Sequence, residues 1–215
     1  MKIFLDTGDI EAIKKAYDTG LIDGVTTNPT HIAKTARKFR DVVKEICSIV
    51  PGPVSAEAVG EDTDELIAAA EDIAAIASNV VIKIPMTPQG LKAVSVLEQQ
   101  KSIKTNVTMI FSSTQVFLAM KAGASFVSIV LSRLDAVANE SYILVEDAAL
   151  IKANYGFASE IIAGSVKTQN QVLSCLRAGI DIVTVNPGLF WQLYKHPLTD
   201  SGLAQFARDW DSVPK

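Results

Sequence analysis

The chain has 215 residues, 48% of them apolar and 20% charged, with a formal net charge of −4. That is enough chain to bury a full core in one domain spanning residues 1–215. The charge balance excludes broad binding to nucleic acid or anionic membranes, while leaving room for a local basic pocket.

In chain order, Ile3 to Asp6 reads as a short strand ending in a carboxylate, and Asp9 caps a helix through Tyr17. Gly24 to Asn28 is a β-branched strand closed by Pro29, followed by a helix from His31 to Val50. Pro53 to Ala58 is a third strand, and Asp62 to Ala77 an Ala- and Glu-rich helix. Val80 to Met86 is a fourth strand, with its helix from Gln89 to Gln99. Strands are expected at 104–108, 125–130, 160–163 and 181–185. Helices are expected at 113–121, 135–153, 168–177, 189–194 and 201–210.

Eight strands alternating with helices, and no hairpin signal between any two, imply a parallel sheet with crossover helices. Eight such units favour a closed (β/α)₈ TIM barrel with an extra C-terminal helix. No G-x-G-x-x-G follows a strand, which weighs against an open dinucleotide-binding sheet.

The fourth strand, Val80-Val81-Ile82-Lys83-Ile84-Pro85-Met86, holds one lysine in a continuous apolar run. Such a run reads as a strand covered on both faces, where an ammonium is costly. Burial favours the neutral amine, the state an imine-forming nucleophile needs. The competing reading is a lysine that snorkels outward or pairs with a carboxylate.

In a barrel of this type the site forms at the carboxyl ends of the strands. The polar residues expected there are Asp6, Asn28, Glu57, Lys83, Asn106 with Thr108, Ser128 with Arg133, and Ser165 with Lys167. Every strand but the eighth contributes to this set. One polar residue at a strand end usually caps the next helix, but this collection exceeds what caps require. Lys83 can attack a ketone to form an iminium, and Glu57 with Thr108 can hold a water for its proton shuttle. Asp6 is the candidate base for carbon–carbon cleavage. Arg133, Lys167 and Ser165 suit a phosphate.

Cys47 and Cys175 have no metal or redox spacing and lie in apolar helical stretches, so buried free thiols and a reducing, cytoplasmic setting are expected. His31 and His196 lack partners at metal spacing and read as surface or capping residues. Transmembrane runs are absent, and Met1 leads directly into a strand pattern without a signal peptide.

Five stretches carry a resemblance to a known family: Phe4-Leu5-Asp6-Thr7, Asp23 to Thr30, Val54 to Glu57, Val81 to Thr87 and Thr105 to Thr108. Together they resemble the short-chain transaldolases and fructose-6-phosphate aldolases, and the likeness extends to about Trp210. The resemblance implies a class I aldolase-type barrel with no metal and no organic cofactor. It also implies homo-oligomers, rings of five often paired into decamers, with the C-terminal helix reaching a neighbour.

Carried over by position, Lys83 matches the Schiff-base lysine, Asp6 the general acid/base, and Glu57 and Thr108 the holders of the catalytic water. Asn28, Asn106 and Ser128 match residues that bind donor hydroxyls, and Arg133 and Ser165 the phosphate site. Lys167 stands where transaldolases usually carry arginine, keeping the charge without the bidentate fork. Glu57 and Asn106 are of the transaldolase kind rather than the aldolase kind. Val130 replaces an aromatic residue common in the family and leaves a larger pocket. His31 replaces a common leucine, either intruding on the site or facing solvent. The implied activity is transfer of a dihydroxyacetone unit between sugar phosphates. The alternatives are an aldolase releasing free dihydroxyacetone, or a sugar-phosphate-binding barrel with weak catalysis.

Overall fold

Each strand pairs in parallel with the next and the eighth pairs with the first, so the sheet closes on itself. The computed structural model describes residues 1–214. Its first half runs β1 (Lys2–Asp6), α1 (Ile10–Tyr17), β2 (Gly24–Thr26), α2 (Pro29–Lys34), α3 (Phe39–Ile49), β3 (Val54–Glu57), α4 (Thr63–Ala74) and β4 (Val80–Pro85). Then come α5 (Pro88–Gln100), β5 (Thr105–Ile110), α6 (Ser113–Lys121), β6 (Phe126–Val130), α7 (Leu131–Asp135) and α8 (Ser141–Tyr155). The last part is β7 (Glu160–Val166), α9 (Gln169–Ala178), β8 (Ile182–Val185), α10 (Pro187–Gln192) and α11 (Pro197–Asp211). This is the expected (β/α)₈ barrel with an added C-terminal helix.

One expected helix is divided and another starts late. The segment read as one helix from His31 to Val50 is α2 and α3, separated where Ala36 takes φ +52°. The helix expected from Asp135 starts only at Ser141, as α8; before it lies the unexpected short α7, and Ala138 in the loop between them has φ +58°. Neither break contains Gly or Pro, so no local signal announced it. Tertiary contacts hold the second break open: Asp135 Oδ1 accepts the Ser141 N–H at 3.0 Å.

Alternation along the strands sorts side chains to the two faces of the sheet. Outward-facing residues such as Leu5, Val25, Ile82, Ile84, Val107, Ile129 and Val183 pack under the helices in the main core. Inward-facing Phe4, Val81, Phe126, Ile162 and Ile182 form a separate buried plug. Gly24 makes room for it, since a Cβ there would sit 2.7 Å from the Phe4 ring.

One step further along seven of the eight strands the inward residues turn polar: Asp6, Thr26, Ser55, Lys83, Asn106, Ser128 and Thr184. Strand register sets Glu57, Lys83 and Asn106 side by side on β3, β4 and β5. Helix caps then close the strand ends. Asp9, Asn28, Thr87, Thr168 and Asn186 each accept a hydrogen bond from the first turn of the following helix.

The last helix, α11, buries none of its residues and exposes Leu198, Leu203, Phe206 and Trp210. Among the described residues no helix is long and apolar enough to cross a membrane.

Candidate active site

A cavity of about 510 Å³ opens at the carboxyl end of the barrel. Nine of the ten residues read from the sequence line it: Asp6, Asn28, Glu57, Lys83, Thr108, Ser128, Arg133, Ser165 and Lys167. The tenth, Asn106, is fully buried just beneath them. Its amide donates to Ser55 Oγ at 3.1 Å and its Oδ1 accepts from Ser128 Oγ at 2.7 Å, so both ends are engaged in the barrel.

Lys83 enters the cavity from the middle of β4, its side chain 14% exposed. Its strand neighbours Val81, Ile82 and Ile84 are buried, but its head is not in an apolar wall. Nζ is 3.6 Å from Glu57 Oε2 and donates to the Thr27 carbonyl at 3.3 Å. At rest the amine therefore has an adjacent carboxylate able to accept its proton, which joins the two readings made of this lysine from sequence. Behind the strand, Gly90 lets α5 close onto the end of β4, since a Cβ there would lie 2.2 Å from the Pro85 carbonyl.

On the opposite wall Asp6 Oδ1 accepts from Thr26 Oγ1 at 2.8 Å, and Thr26 shares a 2.7 Å hydrogen bond with Thr184. The eighth strand, expected to contribute nothing, thus supplies Thr184 and, just beyond it, Asn186 to the lining. Threonine in a strand carries no functional signal by itself, so sequence reasoning passed over Thr26 and Thr184.

The third wall is cationic. Arg133 projects from the short helix α7, and Ser165 and Lys167 come from the end of β7. Among the described residues neither cation pairs with a carboxylate. Gln171 ties this wall together. Its Oε1 accepts from the Lys167 N–H at 2.8 Å, and its Nε2 donates to Asp135 Oδ2 at 2.6 Å and to Ser132 Oγ at 3.2 Å. Burial would raise the Asp135 carboxyl, but hydrogen bonds from Ser141 and Gln171 outweigh it and hold that carboxyl below its usual range. Gln171 was missed as a support, although the Thr168-x-x-Gln171 spacing of a capping box was there to be read.

Two rim residues reach the cavity through irregular backbone. Strand register shifts between Val107 and Ile110 on β5, and between Ala163 and Val166 on β7. Met109 (φ +64°) and Ser165 (φ +54°) sit at these irregularities and both line the site. Such bulges re-aim a side chain at a local cost of about 1–3 kcal/mol. They also lengthen β5 and β7 beyond the expected strands.

His31 is not a bystander: it lines the cavity, with Nδ1 3.6 Å from Asp6 Oδ1. His196 caps α11 as expected, its Nδ1 accepting the Leu198 N–H at 3.2 Å. Cys175 is buried with its thiol pushed up to about 12, whereas Cys47 is half-buried, its thiol pushed up to about 11 by burial.

A family model described as transaldolase/fructose-6-phosphate aldolase matches residues 3–215. The chain belongs to this family. A probable transaldolase from Geobacter metallireducens is 50% identical over 215 residues, covering all of both chains. One from Aquifex aeolicus is 51% identical, covering all of this chain and 99% of its own length. A thiamine phosphate pyrophosphorylase from Pyrococcus furiosus superposes with a TM-score of 0.60 at 12% identity, covering 88% of this chain and 87% of its own, a likeness of fold alone. Membership in the transaldolase/fructose-6-phosphate aldolase family makes an aldolase-type activity the general function of this barrel.

Proposed function

We propose that the chain is a transaldolase, moving a dihydroxyacetone unit from a ketose phosphate such as fructose 6-phosphate to an aldose phosphate such as erythrose 4-phosphate. The observation that carries this reading is Lys83 set in a barrel strand, 3.6 Å from Glu57 and lining the same cavity as Asp6 and Thr108.

The reaction starts when Glu57 takes the ammonium proton and the Lys83 amine adds to the donor's ketone carbon. Loss of water from the carbinolamine gives the iminium, with Glu57 and Thr108 holding that water for proton exchange. Asp6 then removes the proton of the hydroxyl two carbons from the iminium carbon. The carbon–carbon electron pair moves into the iminium and the aldehyde departs. The enamine left on Lys83 attacks the acceptor aldehyde, Asp6 returns the proton, and hydrolysis frees the new ketose.

Arg133, Ser165 and Lys167 bind the phosphate, an anion fitting a wall whose two cations pair with no carboxylate among the described residues. Asn28 and Ser128 face the donor hydroxyls, and Asn106 holds Ser128 from below. Val130 lines the cavity with a short side chain and leaves width beside the donor. The reaction takes place in a reducing, cytoplasmic compartment, in a homo-oligomer whose neighbouring copy covers the apolar residues of α11.

Borohydride reduction in the presence of fructose 6-phosphate tests the reading. A dihydroxyacetone-derived mass on Lys83 is expected; an unmodified lysine leaves a binding barrel. Product formation with and without erythrose 4-phosphate then separates the two family activities, since turnover indifferent to the acceptor means the aldolase.

A further inference from the structure

No step of the proposed reaction uses His31, yet its ring sits between two residues that the reaction does use. Asn28 Oδ1 caps α2 by accepting the His31 peptide N–H at 2.9 Å. The other end of that amide, Nδ2, therefore faces the imidazole, 3.3 Å from Nδ1. An amide nitrogen only donates, so in this contact Nδ1 is the acceptor and the neutral ring carries its proton on Nε2. The same Nδ1 lies 3.6 Å from Asp6 Oδ1, with the two side chains 22% and 25% exposed. A lone pair facing a carboxylate gains nothing. A proton on Nδ1 converts that approach into a charge-assisted hydrogen bond and ends the one from Asn28.

We infer that His31 is a positioning residue for Asp6. With Nδ1 bare it leaves the carboxylate free to act as a base, and when protonated it pairs with that carboxylate and weakens it. This inference rests on the role proposed above for Asp6. The physical reason is that a carboxylate already accepting a charge-assisted hydrogen bond from an imidazolium is a poorer acceptor for the substrate's hydroxyl proton. Thr26, the other partner of Asp6, is a neutral hydroxyl and contributes no pH dependence of its own.

The remaining charges around His31 are engaged elsewhere or lie on other walls. A second cavity of about 620 Å³ shares Asp6, His31 and Asn186 with the site and is edged by Asp9, Glu11, Lys34, Arg37 and Glu45. Of these, Asp9 caps α1, Glu11 pairs with Lys14 at 2.9 Å, and Arg37 pairs with Glu45 at 2.7 Å. Lys34 lies on His31's own helix at the outer edge. Inside the site, Glu57 is turned to Lys83, and Arg133 and Lys167 form the cationic wall. Among the described residues Asp6 is the carboxylate within ion-pair reach of the ring.

The test compares the full chain with its His31→Leu and His31→Gln variants. Donor cleavage is followed from pH 5 to 9, each profile scaled to its own maximum. The native chain is expected to lose activity on acidification within the pH 5–8 window where imidazoles change charge. Both variants should lose this acidic limb or carry it at lower pH than the native chain. Profiles that coincide with the native one overturn the inference. A second readout needs no turnover: long-range ¹H–¹⁵N spectra of the imidazole in the native chain and in Asp6→Asn. The expected result is a bare Nδ1 on the neutral ring, and on the protonated ring an Nδ1–H signal that changes when Asp6 is replaced. An Nδ1–H signal that is the same in both chains overturns it. Because the spectra require no substrate, failure of borohydride trapping would remove the transaldolase reading while leaving the His31–Asp6 pairing separately decided.

Discussion

The interior of this barrel has two layers, a plug of Phe4, Val81, Phe126, Ile162 and Ile182 and, one strand step above it, a ring of polar side chains that includes Asp6 and Lys83. Both belong to the same eight strands, and they differ in what surrounds them. The plug residues touch one another and exclude water, so their burial contributes stability and no chemistry. In the upper layer every group must find a polar partner, as the chains from Thr184 through Thr26 to Asp6 and from Ser55 through Asn106 to Ser128 illustrate. A rigid apolar floor allows a polar layer to be held without collapsing, and the polar layer leaves the barrel a cavity where the plug leaves none.

The largest expected effect falls in the upper layer. Lys83→Met should lower turnover by at least about 10⁴-fold and abolish trapping, because the nucleophile itself is removed. Its melting temperature should stay close to the native value, and a collapse of stability would show that the two layers are not separable. Asp6→Asn should cost about 10²–10⁴-fold in cleavage while leaving the borohydride adduct on Lys83 intact. Loss of the adduct as well would place Asp6 in the imine-forming steps.

The mirror experiment is Phe126→Ala in the plug. It should destabilise the fold by about 3–5 kcal/mol in denaturant unfolding. At a temperature where the variant is folded, its kcat should stay within a few-fold of native.

Smaller effects come from the supports. Gln171→Ala frees the wall that carries Arg133 and Lys167, and should raise KM for a phosphorylated donor several-fold at little cost in kcat. Stability should fall by about 0.5–1.5 kcal/mol, the usual net contribution of a hydrogen bond between groups that water can reach. An unphosphorylated donor such as fructose should show no such rise.

The faintest test concerns the apolar shell outside the barrel, which should behave like the plug. The Cys175 and Cys47 thiols are held up to about 12 and about 11, against an ordinary value of about 8.5. Folded-state values above the unfolded ones mean stability that is full below about pH 8.5 and lost as pH rises toward 11–12. Thermal melts from pH 8 to pH 10.5 should show this decline, and Cys175→Ala should flatten it.

Much of the site was legible before any coordinates because a barrel delivers strand-end residues to one rim, so position along each strand stood in for proximity. Asp6, Glu57, Lys83 and Thr108 are found around one cavity on those grounds. The misses share a different cause. Thr26 and Thr184 matter through a hydrogen bond between residues 158 apart in sequence. Met109 depends on a backbone irregularity that only the neighbouring strand imposes. For His31 the residues left entry to the site and exposure to solvent both open; the nearness of Asp6 is a fact of packing.

Alternation of apolar and polar residues, strand–helix succession and the motifs around Lys83 determined by themselves that this chain is a parallel eight-stranded barrel of the transaldolase/fructose-6-phosphate aldolase family. Those features repeat over a few residues, and short-range periodicity suffices to encode them. Tertiary structure alone decided that the Lys83 ammonium faces Glu57, that Gln171 braces the cationic wall, and that His31 meets Asp6. Each of these is a contact between distant segments whose geometry exists only once the sheet has closed.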